Sequence, residues 1–96
     1  MNNLQEFRAQ ILQQLREEFG DDVEINDVQT IEKDYGWIVF YNSKEFLRTG
    51  DPMTALMSNA PLLCTWEGGR YPLALNCSVA EAIGQLEVKH QLLGSG

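Results

Sequence analysis

The chain has 96 residues, 44 % of them hydrophobic and 22 % charged, which is enough material for one core and too little for a second, so residues 1–96 are expected to form a single domain. Its net charge of −7, with only seven scattered Lys and Arg, excludes nucleic acid as a ligand, because phosphate binding takes clustered cations. No apolar run approaches the roughly 18 residues of a membrane span, and "MNNLQEFRAQ" lacks the basic and apolar regions of a secretion signal, so a cytoplasmic protein without membrane contact is expected.

From Leu4 to Phe19 the apolar residues Leu4, Phe7, Ile11, Leu12, Leu15 and Phe19 keep the spacing of one helical face, and Gly20 offers the left-handed stop that ends helices. In "VEINDVQTIEKD" Val23 and Ile25 alternate, then the phase slips at "ND", which predicts a bulge or turn before a second run from Val28 to Lys33. "YGWIVFY" follows at hairpin distance and reads as one strand, with Ile38 and Phe40 on one face and Tyr35, Trp37, Val39 and Tyr41 on the other.

Asn42 or Ser43 caps a short helix over "KEFLR", with Gly50 ending it. Asp51 caps a second turn that Pro52 opens, "MTALMS" completes and "NAP" stops. "LLCTW" and "RYPL" flank "EGG" as a hairpin, and Pro72, which has no N–H to donate, predicts an edge position for the last strand. Ser78 to Glu81 is a capping box that opens a final helix with the stripe Val79, Ile83, Leu86, His90 and Leu93, and the "GSG" tail is expected to fray. The short links favour an antiparallel sheet of about four strands, with the N- and C-terminal helices packed on one face: an α+β fold.

The chain offers little that could do chemistry. His90 falls on the apolar stripe of the last helix, with no nucleophile near it in sequence, and reads as a packed or capping histidine. Cys64 and Cys77 form no C-x-x-C pair and read as reduced thiols, although their closeness in space stays open. The adjacent glycines of "WEGGRYP" lack the companions of a phosphate loop, and "DDVEIND" lacks the spacing and glycine of a calcium loop. No catalysis, cofactor or metal is expected.

The charge distribution is more informative. Glu17, Glu18, Asp21, Asp22, Glu24, Asp27, Glu32 and Asp34 face one base, Lys33, so this stretch carries the whole net charge of −7. Dispersed charge would serve solubility equally well, whereas concentrated charge makes a directional field. Tyr35 and Trp66, at hairpin ends, read as interface anchors or as core, while Trp37 reads as core.

"DYGWIVFYNSKEFLRTGDPMTALMSNAPLLCTWEGGRYPL" resembles the immunity protein 35 family, whose members include YrhB-like chaperone-like proteins. The segments that carry the resemblance are "GW", an apolar strand ending "FYNSKEFLRTGD", then "NAPLL", a short turn and "YPL" before a closing helix, over residues 28 to 92. The resemblance implies a bacterial, non-catalytic protein that neutralises a cognate toxin of a polymorphic toxin system. Combined with the charge map, it makes a basic toxin, such as a nuclease, the expected partner, met by the eight acids with Tyr35 and Trp66 as anchors. The alternatives are a chaperone-like binding module working through an apolar patch and a small enzyme with a polar pocket. A homodimer paired through an edge strand stays open.

Overall fold

A computed structural model describes residues 4–56 and 60–93. Helix α1 spans Leu4–Phe19, the range its apolar spacing predicts. It stops at Gly20, which takes φ 102° and donates its N–H to the Arg16 carbonyl at 2.9 Å.

Strands β1 (Val23–Ile25) and β2 (Ile31–Lys33) are two pieces of one edge. β1 pairs with β4 (Tyr41–Ser43) and β2 with β3 (Gly36–Val39), both antiparallel. Between the two pieces the Asn26 N–H still donates to the Phe40 carbonyl at 2.7 Å. The chain then leaves the ladder as a loop closed on Asn26, whose carbonyl accepts from the Gln29 and Thr30 N–H groups, each at 3.2 Å. The phase slip at "ND" is therefore a loop, and the second run starts at Ile31 instead of Val28.

The expected four-stranded antiparallel sheet is present in the order β2-β3-β5-β6, where β5 is Leu62–Thr65 and β6 is Arg70–Pro72. A two-stranded ribbon, β1-β4, adjoins it. The single strand expected over Tyr35–Tyr41 divides at Phe40, after which the chain trades β2 for β1 as its partner. Pro72 sits in the terminal strand β6, as its missing N–H requires.

Every residue of β3 is buried, so both faces of this strand need a cover. On one face Phe7, Ile11 and Leu15 of α1 pack with Val23, Ile25, Trp37, Val39, Tyr41 and Cys64. On the other, Ala82 and Ile83 of α3 (Val79–Lys89) pack with Ile38, Leu63 and Leu73. The α+β class holds, but the two helices take opposite faces where a shared face was expected. Each amphipathic stripe suffices for one sheet surface, and the apolar alternation of β3 and β5 provides two. Tyr35 also differs from expectation: it packs with Ile38 and Phe40 in the α3 layer, away from Trp37.

The caps follow the sequence. Ser43 Oγ accepts the Phe46 N–H at 3.0 Å and opens α2 (Lys44–Thr49), which Gly50 ends at φ 74°. Asp51 Oδ1 accepts the Met53 N–H at 3.0 Å over the 3₁₀ turn Pro52–Thr54. Ser78 Oγ accepts the Glu81 N–H at 3.1 Å to start α3. The continuation of the second turn through residues 57–59 and the fraying of the tail at 94–96 lie outside the described residues.

Candidate functional site

The eight acids run in chain order from the last turn of α1 through β1, the 26–30 loop and β2 to the hairpin turn at Asp34; Glu18 alone turns away from the β1–β2 edge, bordering a depression with Leu62, Arg70 and Pro72 of β5 and β6. The ladder that separates β1 from the far end of β2 covers about seven residue steps, or ~20 Å at the rise of a strand. They therefore form a string with two ends and a middle.

Glu17, Glu18, Asp21 and Asp22 are exposed at the first end. Among the described residues none of them has an ion-pair partner. The free carbonyls of a helix C-terminus carry a partial negative charge, so these four carboxylates reinforce a pole that already has their sign.

The middle is different. Arg8 Nε and Nη2 donate to Asp27 Oδ1 and Oδ2, both at 2.9 Å, and Arg8 also lies 3.6 Å from Glu24. Arg16 Nη2 reaches Glu24 Oε2 at 3.4 Å. The hydrogen bond to Asp27, with the charges of Asp27 and Glu24, raises the Arg8 guanidinium above its ordinary range. Two of the eight acids are thus neutralised by α1. Charge counted along the chain missed this, because Arg8 lies outside the acidic stretch; a usable signal was the pair Arg8 and Arg16, about two turns apart on a helix that ends beside the acids.

The same contacts close the strand edge. Since Asn26 N donates to the Phe40 carbonyl and Lys44 N to the Asp22 carbonyl, alternation turns the backbone groups of Val23 and Ile25 outward. The outward Val23 carbonyl accepts from Arg16 Nε at 3.3 Å, and the Ile25 N–H donates to Glu24 Oε1 at 3.3 Å. Side chains occupy β1 where another strand would have to pair.

Glu32 and Asp34 form the second end, both exposed and without an ion-pair partner among the described residues. Lys33, the base between them, points instead to Glu87 on α3 at 3.5 Å. Tyr35 donates to the same Glu87 Oε2 at 2.7 Å. Burial, then the bond to Glu87 and its charge, raise the Tyr35 phenol. Trp66 packs on Phe7 at 4.7 Å between ring centroids and donates Nε1–H to the Asp34 carbonyl at 2.7 Å. The two aromatics are half-buried and hold the turn that presents Asp34.

Most of the other reactive side chains are tied up. Burial pushes the Cys64 thiol up to about 12, and burial with the charge of Glu18 pushes the Tyr41 phenol up to about 12. Cys77 and Cys64 are both free thiols. His90 caps α3 and stacks on Tyr71 at 3.9 Å with the rings 17° apart. Among the described residues no group of three or more His, Cys, Asp or Glu is placed to hold a metal ion, and no helix is long and apolar enough to cross a membrane. The most exposed apolar side chains, Val28, Met53, Leu75 and Val88, sit on four different parts of the fold.

These features define a small α+β protein with a charged, exposed margin. The chain belongs to the immunity protein 35 family, whose model matches residues 5–87. The match takes in α1, and with it Arg8 and Arg16, beyond the segment from residue 28 on which the resemblance rests. Membership assigns a toxin-immunity role. No curated protein and no solved structure matches the chain.

Proposed function

We propose that this protein binds and neutralises the cognate toxin of a bacterial polymorphic toxin system, in the cytoplasm and without catalysis, by presenting its acidic margin to a basic surface of the toxin. The observation that carries the reading is the set Glu17, Glu18, Asp21 and Asp22, exposed and unpaired among the described residues at the negative pole of α1. Glu32 and Asp34 extend the same sign along the edge. Glu24 and Asp27 hold the margin together through α1, and Tyr35 and Trp66 fix the turn while offering their exposed edges as contacts.

Concentrated charge of one sign raises the rate of encounter with an oppositely charged cleft and fixes its orientation. A toxin that acts on nucleic acid has such a cleft, because its substrate is a polyanion. Covering its cations would stop substrate binding without any reaction by the immunity protein. The test is coexpression with the cognate toxin: the wild-type chain restores growth, whereas a variant with the six unpaired acids made amides protects poorly. Equal protection by both would remove the electrostatic basis.

A further inference from the structure

The middle of the acidic margin is where its charge is cancelled and where its most exposed apolar side chain stands. Val28, in the loop between β1 and β2, is 95 % exposed. Its loop is nonetheless fixed at several points. Asn26 accepts the N–H groups of Gln29 and Thr30 and donates Nδ2–H to Gln29 Oε1 at 3.0 Å, Thr30 Oγ1 donates to the Asn26 carbonyl at 3.0 Å, and Arg8 grips Asp27 through two bonds of 2.9 Å.

From this arrangement we propose that Val28 is an apolar knob that inserts into a cation-rimmed apolar depression on the toxin. The inference rests on the reading that this margin meets a basic toxin, and it names the point of contact. Three observations support it. The reversal itself does not call for an apolar side chain, since Val28 stands 95 % exposed directly after the turn formers Asn26 and Asp27. Arg8 and Arg16 neutralise Glu24 and Asp27, the acids nearest the loop, so the centre can be desolvated without stranding a charge. Along this edge the unpaired Asp21 and Asp22 lie on one side of the loop and Glu32 and Asp34 on the other, which gives the apolar centre and charged rim of specific interfaces. Ordering costs are small as well, since the loop is already closed and valine is stiff at χ1.

Val28→Asp separates the knob from steering, because the two predict opposite signs. If the margin acts through charge alone, one more carboxylate tightens binding to a basic toxin. If Val28 is a knob, the same change weakens binding by about tenfold or more. The probe is the toxin against which the chain protects in coexpression, in an inactivated form, titrated by calorimetry against the full chain, with Val28→Ala as an intermediate case. The thermal midpoint of both variants should match wild type, since the side chain makes few contacts to lose. Equal or tighter binding by Val28→Asp would overturn the proposal. If that occurs while amide replacement of the six unpaired acids weakens binding, the knob fails and the acidic reading stands. If the wild-type chain does not bind the toxin, both fall.

Discussion

Arg8 on α1 holds both carboxylate oxygens of Asp27, across 19 residues of chain, with two hydrogen bonds of 2.9 Å. This bidentate contact ties the first helix to the loop that interrupts the edge strand. Both partners are partly solvated, with side-chain exposures of 31 % and 64 %, so its contribution is that of a well-oriented surface pair. Arg8→Ala should lower unfolding free energy by about 1 kcal/mol, read from urea titrations. The loss should shrink in high salt, and a double-mutant cycle with Asp27→Ala should return most of it as coupling. Additive losses would show that the pair does no stabilising work.

Gly36 should be the least replaceable glycine in the fold. It pairs with Lys33 on one side and Thr65 on the other, and a Cβ there would overlap the Cys64 carbonyl oxygen and come within 2.7 Å of Thr65 Cα. Backbone cannot yield as a flexible side chain can. Gly36→Ala is expected to cost more than about 3 kcal/mol, seen as loss of the cooperative transition or a large drop in thermal midpoint. A near-native midpoint would show that the β3–β5 spacing is not as tight as described.

Ser43 has two roles in one buried hydroxyl. It accepts the Phe46 N–H at 3.0 Å as the cap of α2 and donates to the Thr54 carbonyl at 2.6 Å. Ser43→Ala removes the cap and strands a carbonyl, so about 2 kcal/mol of destabilisation is expected. Ser43→Thr, which keeps the hydroxyl, should recover part of it.

Alkaline pH should destabilise the fold. Burial raises the Cys64 thiol from an ordinary 9.0 to about 12, and burial with the charge of Glu18 raises the Tyr41 phenol from 10.0 to about 12. Burial and Glu87 raise Tyr35 as well. The unfolded chain therefore releases protons that the folded chain keeps, and stability falls as pH rises. The loss should begin near pH 9, where the unfolded thiol ionises, steepen past 10 as the phenols join, and approach about 1.4 kcal/mol per pH unit for each group. Urea midpoints measured from pH 7 to 11 check this. Cys64→Ala should flatten the profile between pH 9 and 10, and Tyr35→Phe should flatten it above 10.

Local signals in the sequence translated well into structure. The stripe from Leu4 to Phe19 and the glycine after it bound α1, and Ser43, Asp51 and Ser78 cap the turns they precede. Relations between distant segments did not translate. The break of the central strand at Phe40 is invisible when residues on both sides of it are apolar, because a buried two-faced strand has no alternation to lose. The same ambiguity hid the division of the helices between two faces and the turn of Tyr35 toward α3. At the candidate site, residue types showed the sign and concentration of charge, while which acids are free depended on Arg8 and Arg16 and hence on how α1 docks. Val28 looked like part of a strand, and only the loop geometry exposes it.

The most direct measurement is the salt dependence of toxin affinity for the wild-type chain and for a variant carrying Glu17→Gln, Glu18→Gln, Asp21→Asn, Asp22→Asn, Glu32→Gln and Asp34→Asn. If the margin recognises a basic surface, wild-type binding weakens steeply as salt rises, while the variant binds more weakly at low salt and its affinity hardly responds to salt. Parallel salt curves of equal affinity would contradict the account, because they would place recognition away from these carboxylates.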